Sequence, residues 1–209
     1  MSEKTSQAYD TAPNGGAGIV SEAVRAIRKK DRFNYADYCT WDDDKRWELI
    51  DGSAYAMSAP TWMHQSILVE LAGQMRDFLK GKPCKVFVAP FDVRLNADAG
   101  DDTVVQPDIV LICDRDKLIG TGCIGAPDMA IEILSPSTAI HDTVLKLKLY
   151  RQHGVREYWT VDPDTKTTTT HTLSNGRYLT TTYTAADAAP VHILEGCKIN
   201  LSEVFEEWG

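Results

Sequence analysis

Apolar positions along this chain alternate between helical and strand periodicity, and the switches mark its elements. Ile67, Leu68, Leu71, Met75, Phe78 and Leu79 recur at three- and four-residue steps, which predicts an amphipathic helix over 61–80. Ser58-Ala-Pro60-Thr61 supplies start signals and Gly81-Lys-Pro83 a stop. Upstream, YADYCTWDDD reads as a short helical segment. In WELIDGSAYAM, apolar runs flank Asp51-Gly52, a dipeptide that favours a two-residue hairpin turn. Downstream, KVFVAPFDVRL and TVVQPDIVLIC are β-branched runs separated by the turn-prone ADAGDD, and they predict two strands. MAIEILS predicts a third strand, a helix follows over about 138–153, and EYWTVDP is a fourth strand ending in an Asp-Pro turn. The order is α-β-β-β-α-β. Beyond it, TKTTTTHTL and RYLTTTYT flank Ser-Asn-Gly, which predicts a second hairpin with a half-exposed edge.

Residues 1–32 carry neither period. TAPNGGAGIV reads as part of a flexible leader, with VSEAVRAIRKKDR as a short helix inside it, and a single domain is expected over 33–209. With 43% apolar and 25% charged residues in 209, the composition is that of a globular protein. No apolar run approaches the ~18 residues of a membrane span, and MSEKTSQAYD opens polar, so a protein without membrane contact is expected. Five widely spaced cysteines without a C-x-x-C pair suggest neither a disulfide framework nor a zinc site, and reduced cytoplasmic thiols are expected. The net charge is −8, and the 16 Lys/Arg and 26 Asp/Glu beyond residue 32 make the body strongly acidic. Such a body repels nucleic acid at long range, so any nucleic-acid role requires a local concentration of positive charge.

Two acids stand where acids are costly. Asp108 follows Pro107 within a strand, and Glu132 lies in the middle of MAIEILS. A carboxylate left unpartnered there costs several kcal/mol. If the two strands are neighbours, the carboxylates lie ~5 Å apart and repel by about 3 kcal/mol at an effective dielectric of 20. A divalent cation removes that penalty, and two carboxylates with waters and a phosphate are a common Mg²⁺ arrangement. The same acids would also serve as salt-bridge partners or edge residues.

On the helix that follows, Asp142, Lys146 and His153 form a polar stripe flanked by Leu149 and Tyr150, which suggests a lysine held against protein. Ile140, Val144 and Leu147 form a separate apolar arc, and His141, Lys148 and Gln152 read as the wet face. An Asp142–Lys146 pair is expected whatever the function. His64 shares an arc with Leu71 and Met75 and faces inward, as a core histidine or as a residue lining a site. Ser135, Ser137 and Thr138 suit helix capping.

The blocks WELIDG, His64, QPDIVLI, PDMAIEILSPST, HDTVLKLKLY and GVREYWTVDP, in this order, resemble the PD-(D/E)XK phosphodiesterase superfamily and, within it, the Uma-two family of restriction-endonuclease-like proteins, over roughly 33–205. The resemblance implies an α/β (α+β) fold: a restriction-endonuclease-like αβββαβ core with a mixed central sheet, flanking helices and added N- and C-terminal β-hairpins. It implies a Mg²⁺-dependent endonuclease, with Mn²⁺ able to substitute, that hydrolyses phosphodiester bonds of DNA. Asp108 and Glu132 match the metal-binding acids. The superfamily lysine belongs two residues after the second acid, where this chain has Leu134, and Lys146 matches the lysine that the family brings from the next helix. Glu48 matches a further acid, which reaches the metal or bonds a backbone amide. His64 completes the candidate catalytic set. The resemblance also suggests a bacterial origin and is compatible with a homodimer, for which Val204, Phe205 and Trp208 offer apolar edge material. The alternative is a catalytically silent nucleic-acid-binding or assembly module on the same fold, favoured by Leu134 and the acidic body. That reading expects Lys146 to point away from Asp108 and Glu132.

Overall fold

The local turn and cap signals operate as the residues suggest. In the computed structural model, which describes residues 32–42 and 45–206, Asn34 and Asp37 form a reciprocal capping box on α1 (Tyr35–Tyr38). β1 (Trp47–Ile50) and β2 (Ser53–Ala56) form the first hairpin. Its turn residues Asp51 and Gly52 take φ of 47° and 76°, the positive values that the two-residue turn requires. Thr61 caps α2 (Trp62–Phe78), its hydroxyl accepting from the His64 N–H at 3.2 Å.

The two long β-branched runs each divide at a proline. KVFVAPFDVRL becomes β3 (Lys85–Val88) and β4 (Asp92–Arg94) on either side of Pro90. TVVQPDIVLIC becomes β5 (Val104–Val105) and β6 (Ile109–Ile112) on either side of Pro107. Proline has no N–H for the ladder, so pairing stops there and the halves join different sheets. The pattern of one strand per run is corrected accordingly. A 3₁₀ turn (Arg115–Lys117) leads to the short β7 (Leu118–Ile119) and β8 (Gly122–Ile124), which carry no legible period. β9 (Met129–Ile133) follows. A wide π-type turn (His141–Lys146) then runs into α3 (Leu147–His153), which Gly154 ends in the left-handed conformation. β10 (Glu157–Asp162) precedes the threonine hairpin of β11 (Thr167–Ser174) and β12 (Arg177–Thr184). β13 (Ala188–Pro190), β14 (Lys198–Asn200) and α4 (Leu201–Val204) close the described chain.

The central sheet has the order β12-β11-β10-β9-β6-β3 and is mixed, because β9 and β10 run parallel across the α3 crossover while their neighbours are antiparallel. Its framework α2-β3-β6-β9-α3-β10 is the expected αβββαβ order. The second sheet, β2-β1-β5-β4-β8-β7, absorbs the N-terminal hairpin. Side chains alternate along β9. Ile131 and Ile133 pack with Ile67, Leu71 and Met75 of α2, whereas Ala130, on the opposite face, joins Leu149, Tyr150, Ile50 and Val105 between α3 and the second sheet. Glu132 shares the face of Ala130.

Four expectations change. Ile140 and Val144 are 69% and 64% exposed, while His141 turns inward with a side chain 13% exposed. The π-type turn, closed by i to i+5 bonds, carries His141 toward the side of Lys146 rather than to the wet face. Val204 and Phe205 are core residues, not an apolar edge, because α4 folds them against α2; Trp208 lies outside the described residues. Cys84 and Cys113 form a disulfide, since the antiparallel register that pairs Lys85 with Ile112 sets them opposite one another. Cys39, Cys123 and Cys197 are free thiols. The expected leader lies outside the described residues except for Arg32, whose guanidinium donates to Asp102 at 2.6 Å. Among the described residues, no helix is long and apolar enough to cross a membrane.

Leu71 has no exposed surface at the centre of the α2 contact. Leu71→Ala is expected to cost about 3 kcal/mol of stability, read as a lower urea midpoint at unchanged slope.

Candidate active site

Register brings the two acids together. β6 and β9 pair Ile109 with Ile131 and Val110 with Ala130, and one step outward Asp108 stands opposite Glu132. Asp108 lies at the end of the ladder just past Pro107, with a side chain 13% exposed. Its Oδ2 accepts from the Ile133 N–H at 2.8 Å and lies 3.1 Å from His64 Nε2. His64 therefore reaches from the first turn of α2 to the site and is not a core histidine.

Glu132 is buried, and its Oε1 accepts from Lys146 Nζ at 2.8 Å and from the Tyr150 hydroxyl at 2.9 Å. The same ammonium lies 2.8 Å from Glu48 Oε1 and 3.4 Å from Asp142 Oδ1. Glu48 Oε1 also accepts from the Gln106 N–H at 2.8 Å, so Glu48 both bonds a backbone amide and joins the cluster. The Asp142–Lys146 pair is present, as the helical spacing predicts. Lys146 thus converges on Glu132 from α3's leading turn, as the resemblance implied.

The electrostatics of this cluster are steep. Lys146 is 2% exposed, and Glu48, Glu132 and Asp142 are 3% exposed each. Removing each ion from water costs several kcal/mol. A contact of 2.8 Å returns about 6 kcal/mol at an effective dielectric of about 20. Burial disfavours the Lys146 ammonium, but Glu132, Glu48 and Asp142 outweigh it and hold its pKa well above the ordinary value. Burial pushes the Glu132 carboxyl well up against the pull of Lys146, and Asp142, Asp108 and Glu48 push the same way. Asp142 is held low against the effect of burial, by Lys146 and by its neighbours His141 and Thr138. Three carboxyl groups, Glu48, Glu132 and Asp142, contact the one ammonium, and Asp108 stands opposite Glu132, so carboxyl groups outnumber cations here.

That excess bears on metal binding. Among the described residues, no three His, Cys, Asp or Glu side chains form a ready-made metal cage. Asp108 and Glu132 instead offer a pair of hard oxygen donors, the small protein share that Mg²⁺ takes while keeping much of its water. Asp108 and Glu132 are the residues that would hold such an ion. Donor type and the surplus of carboxyl groups both fit a divalent cation.

Sequence reasoning missed a polar network behind Glu48. The Gln106 amide donates to Tyr38 Oη and to Asp92 Oδ1, both at 2.9 Å, and its carbonyl accepts from Arg46 Nε at 2.9 Å. Tyr38 in turn donates to Asp92 at 2.9 Å. The available signal was a glutamine inside an apolar run, next to Pro107-Asp108. Tyr150 was legible only as Lys146's neighbour one turn on. No side chain caps the wide turn at Ile140, but just before it the Thr138 hydroxyl accepts from the Ser135 N–H at 3.4 Å. The hydroxyls of Ser135, Ser137 and Thr138 bond one another at 3.0 Å around Ser135, and Ser58 lies 3.3 Å from Ser137.

A mixed sheet that sets two acids opposite each other and receives a lysine from its crossover helix defines a restriction-endonuclease-like α/β protein. The family model Uma2, described as "Putative restriction endonuclease", matches residues 35–202, and the chain belongs to this family. The "Uncharacterized protein slr1290" of Synechocystis sp. (strain ATCC 27184 / PCC 6803 / Kazusa) is 26% identical over 155 residues, 72% of this chain and 80% of its own length. A solved structure from Anabaena variabilis ATCC 29413, described as "a putative nuclease belonging to DUF820", superposes with a TM-score of 0.67 at 19% identity. The match covers 83% of this chain and 97% of the other and shows a shared fold.

Lys146→Met strips the ammonium from three buried carboxylates and is expected to cost about 3–5 kcal/mol in chemical denaturation. Adding Glu132→Gln should recover part of that loss, whereas strict additivity of the two changes would mean that the groups are not coupled.

Proposed function

We propose that this protein is a metal-dependent nuclease that hydrolyses phosphodiester bonds of DNA, with Asp108 and Glu132 holding Mg²⁺ and Mn²⁺ able to replace it. The observation that carries this reading is the opposed Asp108–Glu132 pair with the Lys146 ammonium 2.8 Å from Glu132. A divalent cation supplies Lewis-acid polarisation of the phosphodiester. The chain's own groups do the positioning. The Ile133 N–H and His64 fix Asp108 Oδ2, while Tyr150 and Lys146 fix Glu132 Oε1. Lys146 also places a permanent positive charge beside the reacting phosphate, where negative charge grows in the transition state. Glu48 and Asp142 hold that ammonium in place and keep it protonated.

The silent-module reading keeps two observations in its favour, Leu134 at the position of the superfamily's usual lysine and the acidic body. Its expectation that Lys146 turns away from Glu132 fails.

The test is nicking of supercoiled plasmid DNA. The parent with Mg²⁺ or Mn²⁺ is expected to nick, and chelation by EDTA to stop it. Asp108→Asn, which can still accept the Ile133 N–H, is expected to lower the rate by about 100-fold or more while leaving the melting temperature near the parent's. Equal rates for parent and Asp108→Asn, or metal-independent nicking, would refute the assignment.

A further inference from the structure

A second site lies on the same face of the central sheet as Glu132, where the β11–β12 hairpin extends past α3. A cleft of about 460 Å³ opens there between Thr143, Val144, Leu147, Lys148 and Arg151 on one side and His171, Arg177, Tyr178 and Thr180 on the other. It holds three cations and no acid, on a chain with net charge −8. Lys148, Arg151 and Arg177 are all exposed, and none makes an ion pair among the described residues. Arg76 and Lys80, by contrast, pair with Asp77, and Arg156 with Asp128.

The floor is fixed. The His171 ring lies 5.7 Å from Tyr158 and 5.8 Å from Tyr178, with Nδ1 2.9 Å from Thr180 Oγ1. The Tyr178 hydroxyl donates to the Val155 carbonyl at 2.9 Å. Tyr158 donates to the Asp142 carbonyl at 3.0 Å, which joins the floor to the turn that carries Lys146. Burial lowers the His171 pKa, so the positive charge of the cleft belongs to the three exposed cations.

We propose that this cleft seats the sugar–phosphate backbone of the nucleic-acid substrate, a few nucleotides from the bond held at Asp108 and Glu132. The identity of the substrate rests on the nuclease reading above; the anion preference rests on the cleft itself. Exposed, separated cations suit a string of phosphates, whereas a single free phosphate is better held by a buried, bidentate arginine. The spacing agrees. Glu132 is level with Thr182 of β12, three strands or about 14 Å away. Thr180 to Arg177 lie two to five residues further along that strand, which puts the cleft about 16–22 Å from Glu132, or about five or six nucleotides at 3.4 Å of helix axis each. The cleft also answers the charge objection, because it concentrates positive potential locally on an acidic body.

The test is fluorescence anisotropy of a labelled DNA duplex, titrated over a range of salt without Mg²⁺, using Asp108→Asn to prevent cutting. The double substitution Arg151→Glu and Arg177→Glu is expected to weaken binding by about tenfold or more at low salt and to reduce the log–log salt slope by about 2. Lys198→Glu, an exposed charge reversal on β14, is expected to bind as the parent does. Unchanged affinity and slope in the double variant, an equal loss in Lys198→Glu, or absence of duplex binding would overturn the proposal. Displacement of the duplex by an equal phosphate concentration of inorganic phosphate would also overturn it, since that would mark a single-phosphate site. Failure of the nuclease reading looks different: cleft-dependent binding persists while the unsubstituted protein cuts nothing.

Discussion

One buried ammonium holds the site together. Lys146 is shared by Glu48 of the second sheet, Glu132 of the central sheet and Asp142 of its own turn. An ion at this depth is tolerated only while its partners are in contact, because none of the four can return to water without opening the interface between the sheets. The contact is therefore both a structural tie and a chemical device: it spaces the acids and keeps a cation beside them.

The prolines make this geometry available. Pro107 separates a strand end that belongs to the second sheet from one that belongs to the central sheet, and the residues on either side of it serve different ends. Gln106 faces back to bond Glu48, Tyr38, Asp92 and Arg46, while Asp108 faces forward to Ile133 and His64. A break that would weaken an ordinary strand here aligns two networks one residue apart. The π-type turn does similar work on the other side. Its wider spacing brings His141 in beside Asp142 while Lys146 and Tyr150 keep their approach to Glu132.

Charge is distributed with the same economy. Carboxyl groups outnumber ammonium groups at the centre, which suits an added cation, while three exposed cations line the cleft between α3 and the β11–β12 hairpin. An acidic surface elsewhere disfavours indiscriminate contact with polyanions.

Hairpins and the helix α2 with its buried face were legible in the chain, because a 3.6-residue or two-residue period and an Asp-Gly or Asn-Gly turn are local matters of backbone and side-chain geometry. The α2 arc of Ile67, Leu71 and Met75 is buried as its spacing required, and Asp51-Gly52 and Asn175-Gly176 turn where φ must be positive. The candidate acids and Lys146 stood out for a related reason: ionised groups in apolar stretches demand partners. Which partners they find was a tertiary decision. Asp108 meets Glu132 only through the register of β6 on β9, and Cys84 meets Cys113 only through that of β3 on β6. Glu48 meets Lys146 only because two sheets pack together, and His141 turns inward only because one turn widens. Contacts between residues dozens of positions apart leave no periodic trace, since their energy depends on the path of the whole chain rather than on any local run of side chains.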